Sequence, residues 1–133
     1  MNPLYAQVAT RAAWRCEYCQ APEEVFNCPF EVEHVVPRAR GGTSTLDNLA
    51  LACHACNRFK SDATSGHDEI TGQQVSLFKP RTDAWTAHFR FDAEEARIVG
   101  LTATGRVTVA RLQVNRPPHV RARQRWIQLG LFP

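Results

Sequence analysis

The chain contains the stretch Cys16-Glu17-Tyr18-Cys19 and repeats its Cys-x-x-Cys spacing at Cys53-His54-Ala55-Cys56, with residues 20–52 between the two pairs. Each Cys-x-x-Cys turn presents two thiolates at the separation that a tetrahedral metal ion requires. We therefore predict a closed structural zinc site at Cys16, Cys19, Cys53 and Cys56. The alternative is that the four residues are buried or redox-active cysteines. The separation exceeds the roughly 15–20 residues of simple zinc ribbons, so a substantial insert must lie between the turns.

Composition and length place limits on the class of protein. The chain has 133 residues, of which 44% are hydrophobic, and this suffices for one modest core. No run of eighteen or so apolar residues is present, so no membrane-spanning helix is expected. The first thirteen residues lack a basic-then-apolar signal pattern, which favours a cytoplasmic location. In a reducing compartment, paired cysteines are better interpreted as metal ligands than as disulfides. The fifth cysteine, Cys28, is expected to be a small buried hydrophobic residue.

The net charge of +3 conceals a strong asymmetry along the chain. Residues 97–133 contain seven arginines and no acidic residue, whereas the first 96 residues contain nine basic and thirteen acidic groups. A basic tail next to an acidic body indicates a surface that faces a polyanion, although a solvated helix face is an equally simple interpretation. Arg121 and Arg125 are four residues apart and are expected to share a helix face that contacts the backbone of such a polyanion.

Local patterns predict an α+β fold. The alternation from Phe30 to Val35 favours a short strand, Gly41-Gly42 a turn, and the residues after Cys56 a helix of about two turns. In the remainder, residues 66–73 look like a loop, residues 104–114 are assigned to a helix despite their β-branched residues, and a last helix is expected from Pro118 to Gly130. The three tryptophans are expected to anchor the core. We divide the chain into a core, residues 1–65, and an arginine-rich, helix-rich extension, residues 66–133, that packs on it.

The region from Cys16 to Lys60 resembles the HNH endonucleases of the four-cysteine type, whose core is a ββα-metal fold. The matching elements are Cys16-x-x-Cys19, Phe30-Glu31-Val32-Glu33-His34-Val35-Val36-Pro37, Gly41-Gly42, Asn48-Leu49, Cys53-x-x-Cys56-Asn57 and Lys60. So many elements in this order are far more specific than an isolated Glu-His pair. The resemblance covers about a third of the chain.

The resemblance implies a role for each polar residue of the motif. His34 is expected to be the general base that activates water, which suits the pKa of an imidazole. Asn48 is expected to tie the loop between the strands and to orient His34. Glu33 and Asn57 are expected to hold the catalytic ion. One carboxylate and one amide oxygen favour Mg²⁺ or Mn²⁺ over softer metals. Glu31 is the alternative carboxylate if the register of the strand differs.

The sequence thus predicts a metal-dependent endonuclease that hydrolyses DNA, most simply double-stranded DNA. Further phosphate contacts are expected from basic residues near the motif, namely Arg38, Arg40, Arg58 and Lys60. The alternative function is a zinc-dependent nucleic-acid-binding module that has lost cleavage. The oligomeric state stays open, although a double-strand cut by one active site per chain would require a homodimer or sequential nicking.

Overall fold

The computed structural model describes residues 1–133 and shows a mixed α/β fold of short elements. The first part of the chain forms α1 (Tyr5–Arg11), β1 (Glu31–His34), β2 (Leu49–Ala52) and α2 (His54–Lys60). The second part forms β3 (Ser65–His67), β4 (Gln74–Ser76), α3 (Trp85–His88), β5 (Phe89–Asp92), β6 (Arg97–Gly100), α4 (Ala103–Leu112) and α5 (Pro117–Gln128). None of these helices has the length and apolar character needed to span a bilayer.

A hairpin and the helix that follows it form the centre of the first part. Strands β1 and β2 are antiparallel, with Glu33 opposite Ala50 and His34 opposite Leu49. All four residues of β2 are buried, which its apolar sequence explains. Helix α2 begins directly after β2, and the Sγ atom of its N-cap residue Cys53 accepts a hydrogen bond from the backbone N–H of Cys56 at 3.5 Å. One of the predicted metal ligands is therefore also the start of the helix.

The second part contains two further antiparallel hairpins and three helices. Strands β3 and β4 form one hairpin, and β5 and β6 form the other. The helices predicted over 104–114 and 118–130 are present as α4 and α5. The predicted loop over 66–73 is only partly correct, because residues 65–67 pair with residues 74–76. The extension therefore contains two hairpins in addition to its helices.

The two parts share one hydrophobic core. A cluster of 22 buried residues includes all four paired cysteines, residues of β2, and Ile98, Val107 and Leu112 from the second part. Helix α4 packs on α2 and on β6. Helix α4 also lies close to the end of α3, since a Cβ atom at Gly105 of α4 would lie 2.1 Å from the carbonyl oxygen of His88. The predicted core position of Trp14 is wrong, because 46% of this residue is exposed.

Candidate active site and metal centre

The two cysteine pairs converge on one point in the core. The four sulfur atoms all lie within 4.8 Å of one another, all four residues are buried, and none forms a disulfide. The Sγ atoms of Cys19 and Cys53 are 3.8 Å apart. Four sulfur atoms at about 2.3 Å from a central zinc ion would be separated by about 3.8 Å along each edge of the tetrahedron. The cysteines are thus placed so that they could hold one metal ion, and four sulfur donors suit zinc.

The crowding of the four thiols alters their proton affinities. Hydrogen bonds from the neighbouring thiols, that of Cys16 first, lower the pKa of Cys53. Hydrogen bonds with the same neighbours, followed by burial, raise the pKa of Cys19 and Cys56. Deprotonation of Cys53 is therefore favoured, whereas deprotonation of Cys19 and Cys56 is disfavoured. A bound dication would remove this conflict, because it favours the deprotonated form of every ligand.

Cys28 lies outside this cluster, and its predicted burial is wrong. The residue is exposed, because the connection from Phe26 to Pro29 runs over the surface. Its Sγ atom is 3.1 Å from Nε2 of His54. The other ring nitrogen of His54, Nδ1, is 3.4 Å from Oε1 of Glu31. Cys28 is accordingly neither a core residue nor a fifth sulfur ligand.

His34, the predicted general base, is the last residue of β1 and is half-buried. Its Nε2 atom lies 2.9 Å from the Oγ atom of Ser44. Burial, followed by the positive charges of Arg38 and Lys60, lowers the pKa of His34 below the usual value. The neutral imidazole is the form that can accept a proton, so this environment suits a general base at neutral pH.

Asn48 connects the two ends of the loop that follows His34. Its Oδ1 atom accepts a hydrogen bond from the backbone N–H of Val36 at 2.9 Å. Its Nδ2 atom donates to the carbonyl oxygens of Val36 at 3.0 Å and Thr43 at 2.8 Å. The loop is so closely packed that a Cβ atom at Gly42 would lie 1.7 Å from the Val36 oxygen. Asn48 thus ties the loop that follows His34, while its orienting action on His34 stays a prediction.

Glu33, the predicted metal carboxylate, is buried and has both oxygens engaged. Oε1 forms an ion pair with Nζ of Lys60 at 2.5 Å, and Oε2 accepts a hydrogen bond from the hydroxyl of Tyr18 at 2.7 Å. Burial raises the pKa of Glu33, while Lys60 and Tyr18 act in the opposite direction. Lys60 also donates to the carbonyl oxygens of His34 and Val35 at 3.3 and 3.1 Å. These contacts hold β1 from the side opposite the imidazole of its last residue.

Asn57, the predicted second ligand, lies in α2 next to Glu31 and not next to Glu33. Its Nδ2 atom donates to Oε2 of Glu31 at 2.7 Å. Strand alternation places Glu31 and Glu33 on the same face of β1. Helix α2 contacts Glu31 through Asn57 and Glu33 through Lys60. The donor set of Glu31 and Asn57 fits a hard cation such as Mg²⁺ or Mn²⁺. The pair Glu33 and Asn57 does not fit in this arrangement, because Glu33 would first have to release Lys60 and Tyr18.

The predicted phosphate contacts differ in their availability. Arg38, Arg40 and Arg58 are exposed, although Arg40 also donates from Nε to the carbonyl oxygen of Asp62 at 2.9 Å. Lys60 is buried and is engaged by Glu33, so it is not a surface contact in this arrangement. Arg121 and Arg125 are exposed on α5, although Arg125 also donates from Nη1 to Oε1 of Gln128 at 3.2 Å.

Two residues that touch the site were missed by the sequence analysis. Tyr18 lies between the ligands of the first cysteine pair, and that position should have directed attention to its hydroxyl. Ser44 lies in the polar loop after Gly42, and no local pattern distinguishes it from Thr43 or Thr45.

Comparison with known proteins gives one match. Residues 16–63 match the model of a family described as HNH endonuclease. This match confirms the resemblance drawn from the motif, and it begins at the first metal-site cysteine and ends three residues after α2. None of the curated proteins and none of the solved structures that were compared with the chain matches it.

Proposed function

We propose that the protein is a metal-dependent HNH endonuclease that hydrolyses phosphodiester bonds in double-stranded DNA. The family match over residues 16–63 supports nuclease-type chemistry, since HNH nucleases act on nucleic acids. The observation that carries the proposal is the environment of His34 within that segment. A half-exposed imidazole with a lowered pKa, next to Ser44 and a loop tied by Asn48, is suited to take a proton. The order β1, β2, α2 further supports a ββα-metal core.

The chemistry requires a base, a binding site for the phosphate and help for the leaving oxygen. We propose that neutral His34 accepts a proton from the attacking water, with Ser44 and Asn48 holding the ring and the loop in place. Water then forms the new phosphorus–oxygen bond as the bond to the 3′ oxygen breaks. The products carry a 5′-phosphate and a 3′-hydroxyl. Exposed Arg38 and Arg58 are proposed to contact flanking phosphates.

A divalent ion would supply charge neutralisation at the scissile phosphate, and we propose that Asn57 and a carboxylate of β1 hold it. Glu33 is the residue that the family resemblance selects. Glu31 is favoured by contact, because its carboxylate already meets Asn57 and is partly exposed. Strand alternation places both carboxylates on the face opposite His34, so the proposal requires a twist at the end of β1 that brings the ion and the base to one phosphate. We therefore keep both carboxylates in the proposal and distinguish them by experiment.

We propose zinc as the ion of the four-cysteine site, in a structural role. Four protein ligands leave no open position for substrate or water. Free thiolate ligands persist where thiols stay reduced, which supports the proposal of a cytoplasmic protein.

The nuclease proposal is tested with zinc-loaded protein, supercoiled plasmid and Mg²⁺ or Mn²⁺. Wild type should nick the plasmid, and His34→Ala should lower the rate by about 10²–10⁴-fold because the base is lost. Gln7→Ala is the matched control, since this exposed residue of α1 lies outside the site and should leave the rate unchanged. Zinc content and circular dichroism should be equal in all three. Equal nicking by wild type and His34→Ala would remove His34 as the base.

The carboxylate is identified by Mn²⁺ binding to zinc-loaded protein, followed by electron paramagnetic resonance. We expect Glu31→Gln to weaken binding by about tenfold or more, because it removes the carboxylate next to Asn57. If Glu33→Gln weakens binding and Glu31→Gln does not, Glu33 is the ligand and must exchange Lys60 for the ion.

A zinc-dependent nucleic-acid-binding module without cleavage is the second candidate. The observation that favours it is the engagement of both Glu33 oxygens, which leaves no open carboxylate next to His34. Binding of plasmid without nicking, with either ion, would support this candidate over the nuclease.

A further inference from the structure

The β3–β4 ribbon, residues 65–67 and 74–76, has one packed face and one open face. Gly66 and Val75 pair with each other and face α4, where a Cβ atom at Gly66 would lie 3.1 Å from Cβ of Val107. Because side chains alternate along a strand, the neighbours of these two residues project to the opposite face. Four polar and exposed residues share that open face. They are Ser65, His67, Gln74 and Ser76.

The open face borders a cleft next to the candidate active site. The cleft has a volume of about 440 Å³ and runs from Ser65, Gln74 and Ser76 to Val35 and Val36, which directly follow His34. Two exposed cations, Arg40 and Lys79, also line it, and no carboxylate does. Six of the thirteen lining residues are apolar, and the charged ones are all cations. A concave surface whose charges are only positive is complementary to a polyanion.

The ribbon is held rigidly in this position. Asp68, at the start of its turn, is buried and forms a two-contact ion pair with Arg106 of α4 at 2.9 and 3.0 Å. The same carboxylate accepts hydrogen bonds from the backbone N–H and the hydroxyl of Thr71. The backbone N–H of Leu77 donates to the carbonyl oxygen of Thr64 at the other end of the ribbon. The open face is therefore presented by a fixed support.

We propose that the open face of the β3–β4 ribbon enters the major groove of the DNA duplex and that Gln74 contacts a base edge there. This inference rests on the proposed function, because it adds base recognition to the same DNA site. Gln74 donates from Nε2 to the Oγ atom of Ser65 at 3.0 Å, so its carboxamide is already oriented along the open face. Arg40 and Lys79 contact phosphates on either side of the groove.

The dimensions and the chemistry agree with this assignment. Three residues of a strand span about 10 Å, and the major groove, about 12 Å wide, admits a two-stranded ribbon. Glutamine pairs through two hydrogen bonds with the N6 and N7 atoms of adenine, while serine accepts or donates to several bases. The minor groove is about half as wide, and its pattern of donors and acceptors does not distinguish A·T from T·A. Gln74 therefore determines preference for a base, whereas Arg40 and Lys79 contribute affinity without preference.

The test selects bound sequences from a library of randomised DNA duplexes, in Ca²⁺ and without a cleavage step. Wild type should enrich adenine at one position, and Gln74→Ala should reduce this enrichment by about tenfold. Lys79→Gln should weaken binding to all sequences alike and reduce the salt dependence of affinity. Gln7→Ala is the matched control, since this exposed glutamine of α1 lies outside the cleft and should leave the preference unchanged.

The outcomes separate this inference from the proposed function. A wild-type protein without base preference, or one whose preference survives Gln74→Ala, overturns the role of the ribbon and leaves the nuclease proposal intact. Replacement of the selected adenine by 7-deazaadenine, which lacks the N7 acceptor in the major groove, should weaken wild-type binding, and unchanged binding contradicts major-groove entry. Base-specific binding that depends on Gln74, together with failure to nick plasmid, would support the ribbon and reject cleavage.

Discussion

At the scale of single residues, the buried ion pair of Glu33 and Lys60 is the most consequential contact near the site. Only 4% and 1% of these side chains are exposed, so the charges have lost nearly all contact with water. The carboxylate is satisfied by Lys60 and Tyr18, and the ammonium group by Glu33 and two backbone carbonyls. Such a pair contributes little net stability when complete, but the loss of one partner leaves a buried charge without compensation.

Lys60→Met should lower the free energy of unfolding by about 3–5 kcal/mol, because it leaves the Glu33 carboxylate buried and unpaired. Urea denaturation of zinc-loaded protein measures this loss. Arg58→Met is the matched control on the same helix, and as an exposed change it should alter stability by no more than about 0.5 kcal/mol. The double variant Glu33→Gln/Lys60→Met should recover part of the loss. Equal stability of Lys60→Met and wild type would show that the pair is broken in solution.

The sequence predicts which residues lie in this region, and it does not predict how they pair. Strand alternation indicates that Glu31 and Glu33 share a face. It contains no information on which turn of α2 meets each carboxylate, since that depends on the angle between the helix and the hairpin. The motif therefore predicts that Glu33 and Asn57 hold the same ion. In the structure, Glu33 contacts Lys60 and Glu31 contacts Asn57.

At the scale of secondary structure elements, the β3–β4 ribbon depends on one ion pair for its position. Hydrogen bonds from Arg106 and Thr71 hold the pKa of Asp68 well below its usual range. A carboxylate with a lowered pKa in the folded state stabilises that state at every pH above its unfolded pKa of about 3.9. This stabilisation is lost as the pH falls below about 4 and through the lower folded value.

Asp68→Asn should therefore be less stable than wild type at pH 7, and the difference should shrink as the pH falls below about 4. Thermal unfolding of both proteins between pH 7 and pH 2.5, followed by circular dichroism, measures the difference directly. The comparison includes only the pH values at which both proteins still contain zinc, because loss of zinc would unfold both. Asp62→Asn, a change at an exposed aspartate, should show no such dependence. A constant gap between Asp68→Asn and wild type would contradict the assignment.

Some elements could be predicted from local sequence and others could not. Helix α4 was predicted despite its β-branched residues, because Gly105, Val109 and Leu112 share a helical face and Asn115 with Pro117-Pro118 provides a stop. The structure adds an N-cap, since the side chain of Thr102 accepts from the backbone N–H of Gly105. Strand β3 was not predicted, because Ser65-Gly66-His67 has low intrinsic strand propensity. These residues become a strand only by pairing with residues 74–76 and packing on α4, and both contacts are tertiary.

At the scale of the whole molecule, the metal centre lies inside the core and not at its edge. The four cysteines belong to the same cluster as β2, Phe78, Ile98 and Leu112. One cysteine pair precedes the β1–β2 hairpin in the sequence and the other follows it, so a bound ion would join segments that are distant in sequence. Metal-binding free energy in such a site is folding free energy.

Removal of zinc with a chelator should unfold the molecule as a whole. We expect loss of near-ultraviolet circular dichroism and of the cooperative thermal transition, with recovery when zinc is added back. The purified protein should contain one zinc ion per chain. Cys56→Ser is expected to reproduce the unfolding, whereas Cys28→Ser should not, since the exposed Cys28 is outside the cluster. A chelated protein that keeps its thermal transition would contradict the structural role of the ion.

The arginines of the second part contribute contacts within the fold as well as positive charge on the surface. Four of its seven arginines have internal partners: Arg106 pairs with Asp68, Arg111 donates to carbonyls of α2, Arg116 lies over the ring of Phe59, and Arg123 is buried against carbonyls of Ala96 and Val114. The composition alone overestimates the basic surface, because a count of arginines does not show which of them form contacts within the fold. Arg121 and Arg125 remain as the exposed pair on α5.

Two contacts from the second part reach the motif itself. Nε1 of Trp85 donates to the carbonyl oxygen of Tyr18 at 2.8 Å, within the first cysteine turn. Arg111 donates to the carbonyl oxygens of Phe59 and Lys60 at 2.9 and 3.3 Å, at the end of the helix that carries Asn57. A fragment cut after residue 65 would lose both donors, Trp85 and Arg111. The segment that matches the family therefore depends on the second part of this chain. If it were grafted onto another scaffold, the grafted protein would need other donors in place of Trp85 and Arg111.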